Sequence, residues 1–457
     1  MPGATIRDTA ARLLPLAWPV FLGQVAVLAF ATVDTMVVAR HSAADLAALA
    51  VGGAAYVTIF IGLMGVVLAV GPISGQLFGA QRLHEAGREL HQAIWLALLL
   101  ALPGSLLLFF PQPFLVLAKA TPEVAGKVRG YLAALAFALP ASLVFAAFRG
   151  FNTAVSRPKI VMLLQVGALL PKVPLTVLLV GGAPAIGLPA LGVAGCGIAT
   201  AIVMLAQVAV AWQLLQRDPF YDRFGVRGGL TPPSRHAILA LLRLGIPMGG
   251  SVWIEVTGFT SMAFFIARLG ATPVAGHQIA VNLVSLMFMV SLAIANASST
   301  LVAQRVGAQD LRDARRLGWH AVLIGTGVAV LLGATVYLLR EPVLRLYSND
   351  PVVVGAALPL LAWLVLFHVA DGAQTVAAFV LRAWRVATVP LVIYVLALWG
   401  VGIGGGYLVA FDVFGVTPPA LQGAVGFWTA STGGLTLAAL LLVGFLAWMT
   451  KHRFRAV

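Results

Sequence analysis

Only one cysteine, Cys196, stands in the 457 residues, which excludes an intrachain disulfide and any metal or iron–sulfur site built from cysteines. Charge is scarce as well: Asp, Glu, Lys and Arg make up 10% of the chain, against roughly 25% in ordinary globular domains. No GxxxxGK[ST] phosphate-binding motif occurs, which argues against nucleotide-driven pumping by this chain alone. Neither a metal-ligand cluster nor a nucleophile–His–acid arrangement emerges, so no enzyme is indicated and no cofactor is expected. The first dozen residues, MPGATIRDTAAR, lack an apolar core and a small-residue cleavage site, and the N-terminus is expected to be retained. The formal charge of +14 has no basic soluble face to occupy, so no nucleic-acid partner is expected.

What the chain does have is apolar length. Hydrophobic residues make up 61% of it and the mean hydropathy is +0.99, well above the roughly 45–50% apolar content of globular domains. Cutting at Gly/Pro punctuation and charge clusters predicts an all-α membrane protein of about twelve spans: 13–39, 46–75, 92–111, 124–147, 160–181, 188–215, 238–267, 274–303, 317–339, 352–381, 386–410 and 421–450. An even number puts both termini on one side. Arg40, Lys119, Lys127, Arg129, Arg268, Arg340 and Arg345 fall on the opposite side, Lys172 falls inside a span, and all the other Lys and Arg share the side of the termini. The positive-inside rule makes that side the cytoplasm. With no targeting segment read in the chain, the expected membrane is a plasma or bacterial inner membrane.

An internal repeat runs through the sequence. Shifting it by 228 residues lays FGAQRLHEAGR (78–88) on VGAQDLRDARR (306–316), and brings Pro19 onto Pro247, Thr32 onto Thr260, Arg40 onto Arg268 and Gln76 onto Gln304. Compositional bias toward Ala and Leu does not align glutamines and charges in register. Six spans per half implies two lobes in the same orientation, related by a pseudo-two-fold axis along the membrane normal. The expected organisation is an N-lobe over 1–215, a basic Pro/Gly-rich cytoplasmic linker over 216–237 and a C-lobe over 238–457.

Of the fifteen acids, three fall within the predicted spans: Asp34, Glu255 and Asp371. An intramembrane carboxylate is costly unless it is neutral, paired or facing water. If Glu255 and Asp371 face each other in a dry site, they cannot both be ionised without a cation between them. A Na⁺ would accept both, with nearby oxygens, whereas a proton would neutralise one. Phe367 precedes Asp371 by one turn and either packs or offers its ring face to a cation. Lys172 needs a partner, a wet cavity or a route to the interface; Asp34 is the span acid in its own half, and a Lys172–Asp34 pair is the expectation. His277 is either a proton shuttle or a hydrogen-bonded structural residue. Gln278 and Asn282, one turn apart, suit a polar cavity wall or interhelical hydrogen bonds.

PVFLGQVAVLAFATVDTMVVAR, GPISGQLFGAQ, GLPALGVAGCGIAT, IEVTGFTSMAFFIARLGATPVAGHQIAVNL and HVADGAQ, in this order and spacing, resemble the multidrug and toxic compound extrusion (MATE) transporters, most of all their NorM-like branch. The resemblance covers nearly the whole chain. It implies efflux of cationic and amphipathic drugs by alternating access against Na⁺ or H⁺. Membrane lipids are the expected surroundings and a monomer the expected unit. The resemblance also assigns cation coupling to Glu255 and Asp371, which would be the Na⁺ ligands if sodium is the ion. Asp34 matches an acid implicated in cation binding, and Thr200 a hydroxyl near it. Two departures from the family stand out, at three positions: Phe367 where relatives often have tyrosine, and Lys172 with Thr176 where many have asparagines. A tethered ammonium beside Asp34 would compete with a mobile cation there, so coupling is expected to run mainly through Glu255 and Asp371. The rival readings are a flippase for lipid-linked or polyprenyl intermediates, which would need several basic cavity residues, and a channel or receptor.

Overall fold

A computed structural model describes residues 5–184 and 187–453. Residues 1–4 of the N-terminal stretch, and Arg455 among the C-terminal basic residues, lie outside the described residues. Among the described residues, twelve helices are long and apolar enough to cross a membrane. They are α1 (Ile6–His41), α2 (Ala43–Gly79, broken at Leu68–Ala69), α3 (Leu83–Phe109), α4 (Pro122–Ala154), α5 (Pro158–Gly181) and α6 (Val193–Arg217). The second set is α7 (Arg235–Ala267), α8 (Ala271–Gly307), α9 (Leu311–Leu338), α10 (Pro351–Ala383), α11 (Thr388–Ala410) and α12 (Ala424–Arg453).

Helices outrun the apolar runs that predict them. The stretch 83–91 carries Glu85, Arg88 and Glu89 yet is helical, because its turn is set by the backbone and not by lipid solubility. Two basic residues assigned above to the cytoplasmic loops are drawn into helices for the same reason. Arg149 lies in α4 and donates to Met64 Sδ at 3.1 Å. Arg382 lies in the last turn of α10, buried, with its guanidinium 4.4 Å from the centre of the Phe379 ring. Lys172 is therefore not the only basic residue within a helical span.

The repeat is written into the backbone. Gln81 and Gln309, 228 residues apart, both take left-handed conformations (φ 60° and 59°), unusual for residues with a Cβ. Each follows a helix whose end is closed by the same bond: Arg82 N donates to Leu77 O at 2.9 Å, and Asp310 N to Arg305 O at 3.0 Å. Further on the offset grows by one residue. Thr121 and Asp350 cap the starts of α4 and α10, each followed by proline, and Ser156 and Arg385 are again left-handed beyond the ends of those helices.

The chain divides into two compact units, one spanning Trp18–Gly249 and the other joining the described residues up to Ala17 with those from Gly250 onward. In the first unit α4 is the central helix, packed against α2, α3 and α6. Small residues allow close approach: a Cβ at Gly197 would stand 2.9 Å from Tyr131 O, on the face where α6 meets α4. After α6 the chain folds back over this unit. Tyr221 donates to Asn152 Oδ1 at 2.6 Å, Arg157 pairs with Asp218 at 2.6 Å, and the Trp95 indole donates to Thr231 O at 2.9 Å.

In the second unit α10 is central, packed against α8, α9 and α12. Its interior holds Met262, Ile266, Leu360, Leu364, Phe367 and Trp428. Within α11, residues Val395–Gly405 form a π-helix between short α-helical ends, a widened turn found often at functional sites. Gly434 of α12 lets it fit: a Cβ there would collide with Ala397 O and stand 3.1 Å from Gly402 N.

Candidate cation-binding site

Five side chains converge in the second unit. Asp371, Gln374 and Thr375 lie on α10, Glu255 on α7 and Tyr394 at the foot of the π-helical segment of α11. Asp371, Gln374, Thr375 and Tyr394 are buried, and Glu255 is half-buried. Gln374 Nε2 donates toward Asp371 Oδ1 at 2.9 Å, Thr375 Oγ1 at 2.9 Å and Glu255 Oε1 at 3.3 Å, and its Oε1 accepts from the Tyr394 hydroxyl. The two acids singled out from the sequence thus share one amide donor.

Glu255 opens onto a cleft lined further by Gly258, Phe259, Met262, Phe367, Leu398, Gly402, Ile403, Ser431 and Leu435. Three of these belong to the π-helical segment, whose Trp399 indole donates to Ile254 O at 3.1 Å, one residue from Glu255. The irregular helix therefore both shapes the wall and ties it to the carboxylate. The lining is apolar and aromatic with one acid and no basic side chain, suited to an amphipathic cation. Phe367 packs between Phe259 and Trp428, with ring centres 5.5 and 5.4 Å away, so its ring serves the wall of the cleft.

Another charged group is buried in the first unit. Lys172 Nζ on α5 lies 2.7 Å from Asp34 Oδ1 on α1 and donates to Thr200 Oγ1 on α6 at 2.7 Å. Thr176 Oγ1, one turn beyond Lys172, lies 3.4 Å from the same Asp34 oxygen. The lysine side chain has no exposed surface, and that of Asp34 is 13% exposed. Lys172 therefore does not snorkel: its ammonium is spent inside, on a carboxylate and a hydroxyl.

The remaining candidates are not among the residues that line the cleft. His277 is buried and accepts from the Trp428 indole at Nδ1, 3.2 Å away, which is a structural contact behind Phe367. Gln278 and Asn282 lie on an exposed face of α8, and Asn282 Oδ1 takes the Tyr347 hydroxyl at 2.7 Å. Gln374, Thr375 and Tyr394 are the site residues that sequence reasoning passed over. Gln374 had a signal, since it follows Asp371 by three positions in HVADGAQ and so shares its helical face. Tyr394 had none, because its contact depends on how α11 packs against α10.

Twelve helices fit to cross a membrane, an internal repeat and a carboxylate pair beside an apolar cleft point to a polytopic membrane transporter. The chain belongs to the MatE family, whose model matches it twice, over residues 19–178 and 247–408. It is 41% identical to the probable multidrug resistance protein NorM of Aromatoleum aromaticum, over 97% of this chain and 95% of that protein. Identity to the protein of the same description from Chromobacterium violaceum is 35%, covering 98% and 96%. Among solved structures, the eukaryotic MATE transporter AtDTX14 shares the fold with a TM-score of 0.85 at 20% identity, covering 98% of this chain and 99% of that one.

Proposed function

We propose that the protein is a secondary multidrug antiporter, exporting organic cations and amphipathic drugs in exchange for Na⁺ or H⁺ by alternating access. The observation that carries this reading is the carboxylate pair, Glu255 and Asp371, joined through Gln374 at the edge of an apolar, aromatic cleft. Antiport requires the ion and the drug each to weaken the other's binding to a common state. A cation that neutralises Glu255 removes the one charge that the cleft offers to a cationic drug. The bacterial relatives, described as probable multidrug resistance proteins, support the same cargo. A cleft with no basic side chain disfavours lipid-phosphate cargo.

Coupling in this reading runs through the second unit, because the Asp34 carboxylate already holds the Lys172 ammonium. The protein acts as a monomer in a bacterial inner membrane, with both termini in the cytoplasm. The decisive experiment is ethidium or norfloxacin efflux from reconstituted vesicles under a Na⁺ gradient or a pH gradient, imposed separately. One of the two gradients should drive efflux by the wild type, and Asp371→Asn should abolish that drive. Gradient-driven efflux that survives in Asp371→Asn would leave the residue structural and the proposal wrong.

A further inference from the structure

The Gln374 amide sits where an incoming cation would go. Its nitrogen carries two hydrogens and faces three oxygen acceptors, on Asp371, Thr375 and Glu255. An ionised carboxylate accepts hydrogen bonds and a protonated one still offers its carbonyl oxygen, so the amide nitrogen is placed toward the two acids. The Tyr394 hydroxyl, donating to Oε1 from the other end, holds the amide in this sense. A metal ion between the acids needs oxygen ligands all around it; here the group turned toward that position is an N–H donor. Among the described residues no cluster of three or more His, Cys, Asp or Glu side chains offers an alternative metal seat. As arranged, the pair does not fit a metal ion.

We infer that Gln374 is a tethered, neutral occupant of the Glu255/Asp371 site, displaced by a monovalent metal cation and returned when that cation leaves, with Tyr394 as the positioning residue that sets its orientation. This deepens the antiport reading and rests on it. The amide gives each acid a hydrogen-bond partner when no ion is bound, so neither is left without a polar contact in the cation-free site. The contact to Glu255, at 3.3 Å, is the longest of the three and is the first to give way. Glu255 is also the acid that lines the cleft, so release begins on the side from which a cation arrives. The Asp34 site differs in kind: its occupant is an ammonium, and displacing it would put two cations beside one carboxylate.

The test is equilibrium binding of ²²Na⁺ to the purified full-length protein in detergent at fixed pH, a readout independent of transport. Gln374→Leu removes the occupant at similar volume and should bind Na⁺ about tenfold or more tightly than the wild type, the scale of one hydrogen bond to a charged group. Tyr394→Phe frees the amide without removing it and should give a smaller gain. Adding Asp371→Asn to Gln374→Leu should cancel the gain. Binding by Gln374→Leu equal to or weaker than wild type overturns the inference and makes the amide a ligand or a bystander. Absence of binding in every variant overturns it too, since something other than the amide then excludes the ion. Should Gln374→Leu not stay monodisperse, Tyr394→Phe decides alone: a gain supports the inference, and no change or a loss defeats it. Failure of gradient-driven efflux in vesicles would defeat the antiport reading itself, and is distinct from these binding results.

Discussion

Lys172 and Asp34 show what a buried ion pair demands of its members. Removing one partner leaves the other charged and unpaired, at a cost of about 3–5 kcal/mol, whereas replacing both with apolar residues of similar size is often neutral. Lys172→Met should therefore lower the thermal midpoint in detergent markedly. The double variant Lys172→Met/Asp34→Leu should regain most of the loss. Additive losses in the double variant would argue against direct pairing. Exchanging the two charges, as Lys172→Asp with Asp34→Lys, should restore efflux that either neutral single variant loses. Both residues could be singled out from the sequence because ionisable groups are rare in spans; the part played by Thr200 and Thr176 in holding them needed three helices brought together.

At the scale of elements, the π-helical segment of α11 and the returning chain after α6 carry different predictions. Gly433 and Gly434 are neighbours on α12, but a Cβ at Gly433 meets nothing within 4 Å while one at Gly434 collides with the π-helical backbone. Gly434→Ala should weaken drug binding by displacing Leu398, Gly402 and Ile403, and Gly433→Ala should not. Equal affinities in a fluorescence titration would separate the π-helix from the cleft's function. For the returning chain, burial alone would raise the Asp218 carboxyl, but the Phe220 N–H and the Arg157 guanidinium outweigh it, helped by Arg227, and hold it below the ordinary carboxylate range. A lowered carboxyl contributes stability above its unfolded value of about 3.9 and loses it as pH falls through the folded value. Hydrogen exchange of residues 218–224 should thus show protection, corrected for intrinsic rates, that holds from neutral pH down to the ordinary carboxylate range and falls in stronger acid. Arg157→Gln should remove part of that protection already at neutral pH.

At the scale of the molecule, orientation is open to direct measurement, since Cys196 is the only native thiol and is fully buried. A cysteine at exposed Lys119 should react with a membrane-impermeant maleimide in intact cells. One at exposed Arg316 should react only after permeabilisation. The reverse pattern would invert the proposed topology and, with it, the direction of export.

The sequence by itself determined the class, the twelve spans, the repeat and the three span acids, because lipid permits few charges and the repeat preserves glutamines and arginines in register. It also made the Lys172–Asp34 pair an expectation, since each charge had few possible partners. Helix ends were less legible: charged turns at 83–91 and the last turn of α10 remain helical beyond the apolar runs, which drew Arg382 inside. Only tertiary structure decided that Gln374 bridges Glu255 and Asp371, that Tyr394 orients it, and that Gln278 and Asn282 do not line the cleft. Those outcomes depend on how separate helices are rotated against one another, and a helix's rotation is set by the packing of its whole surface rather than by any one residue on it.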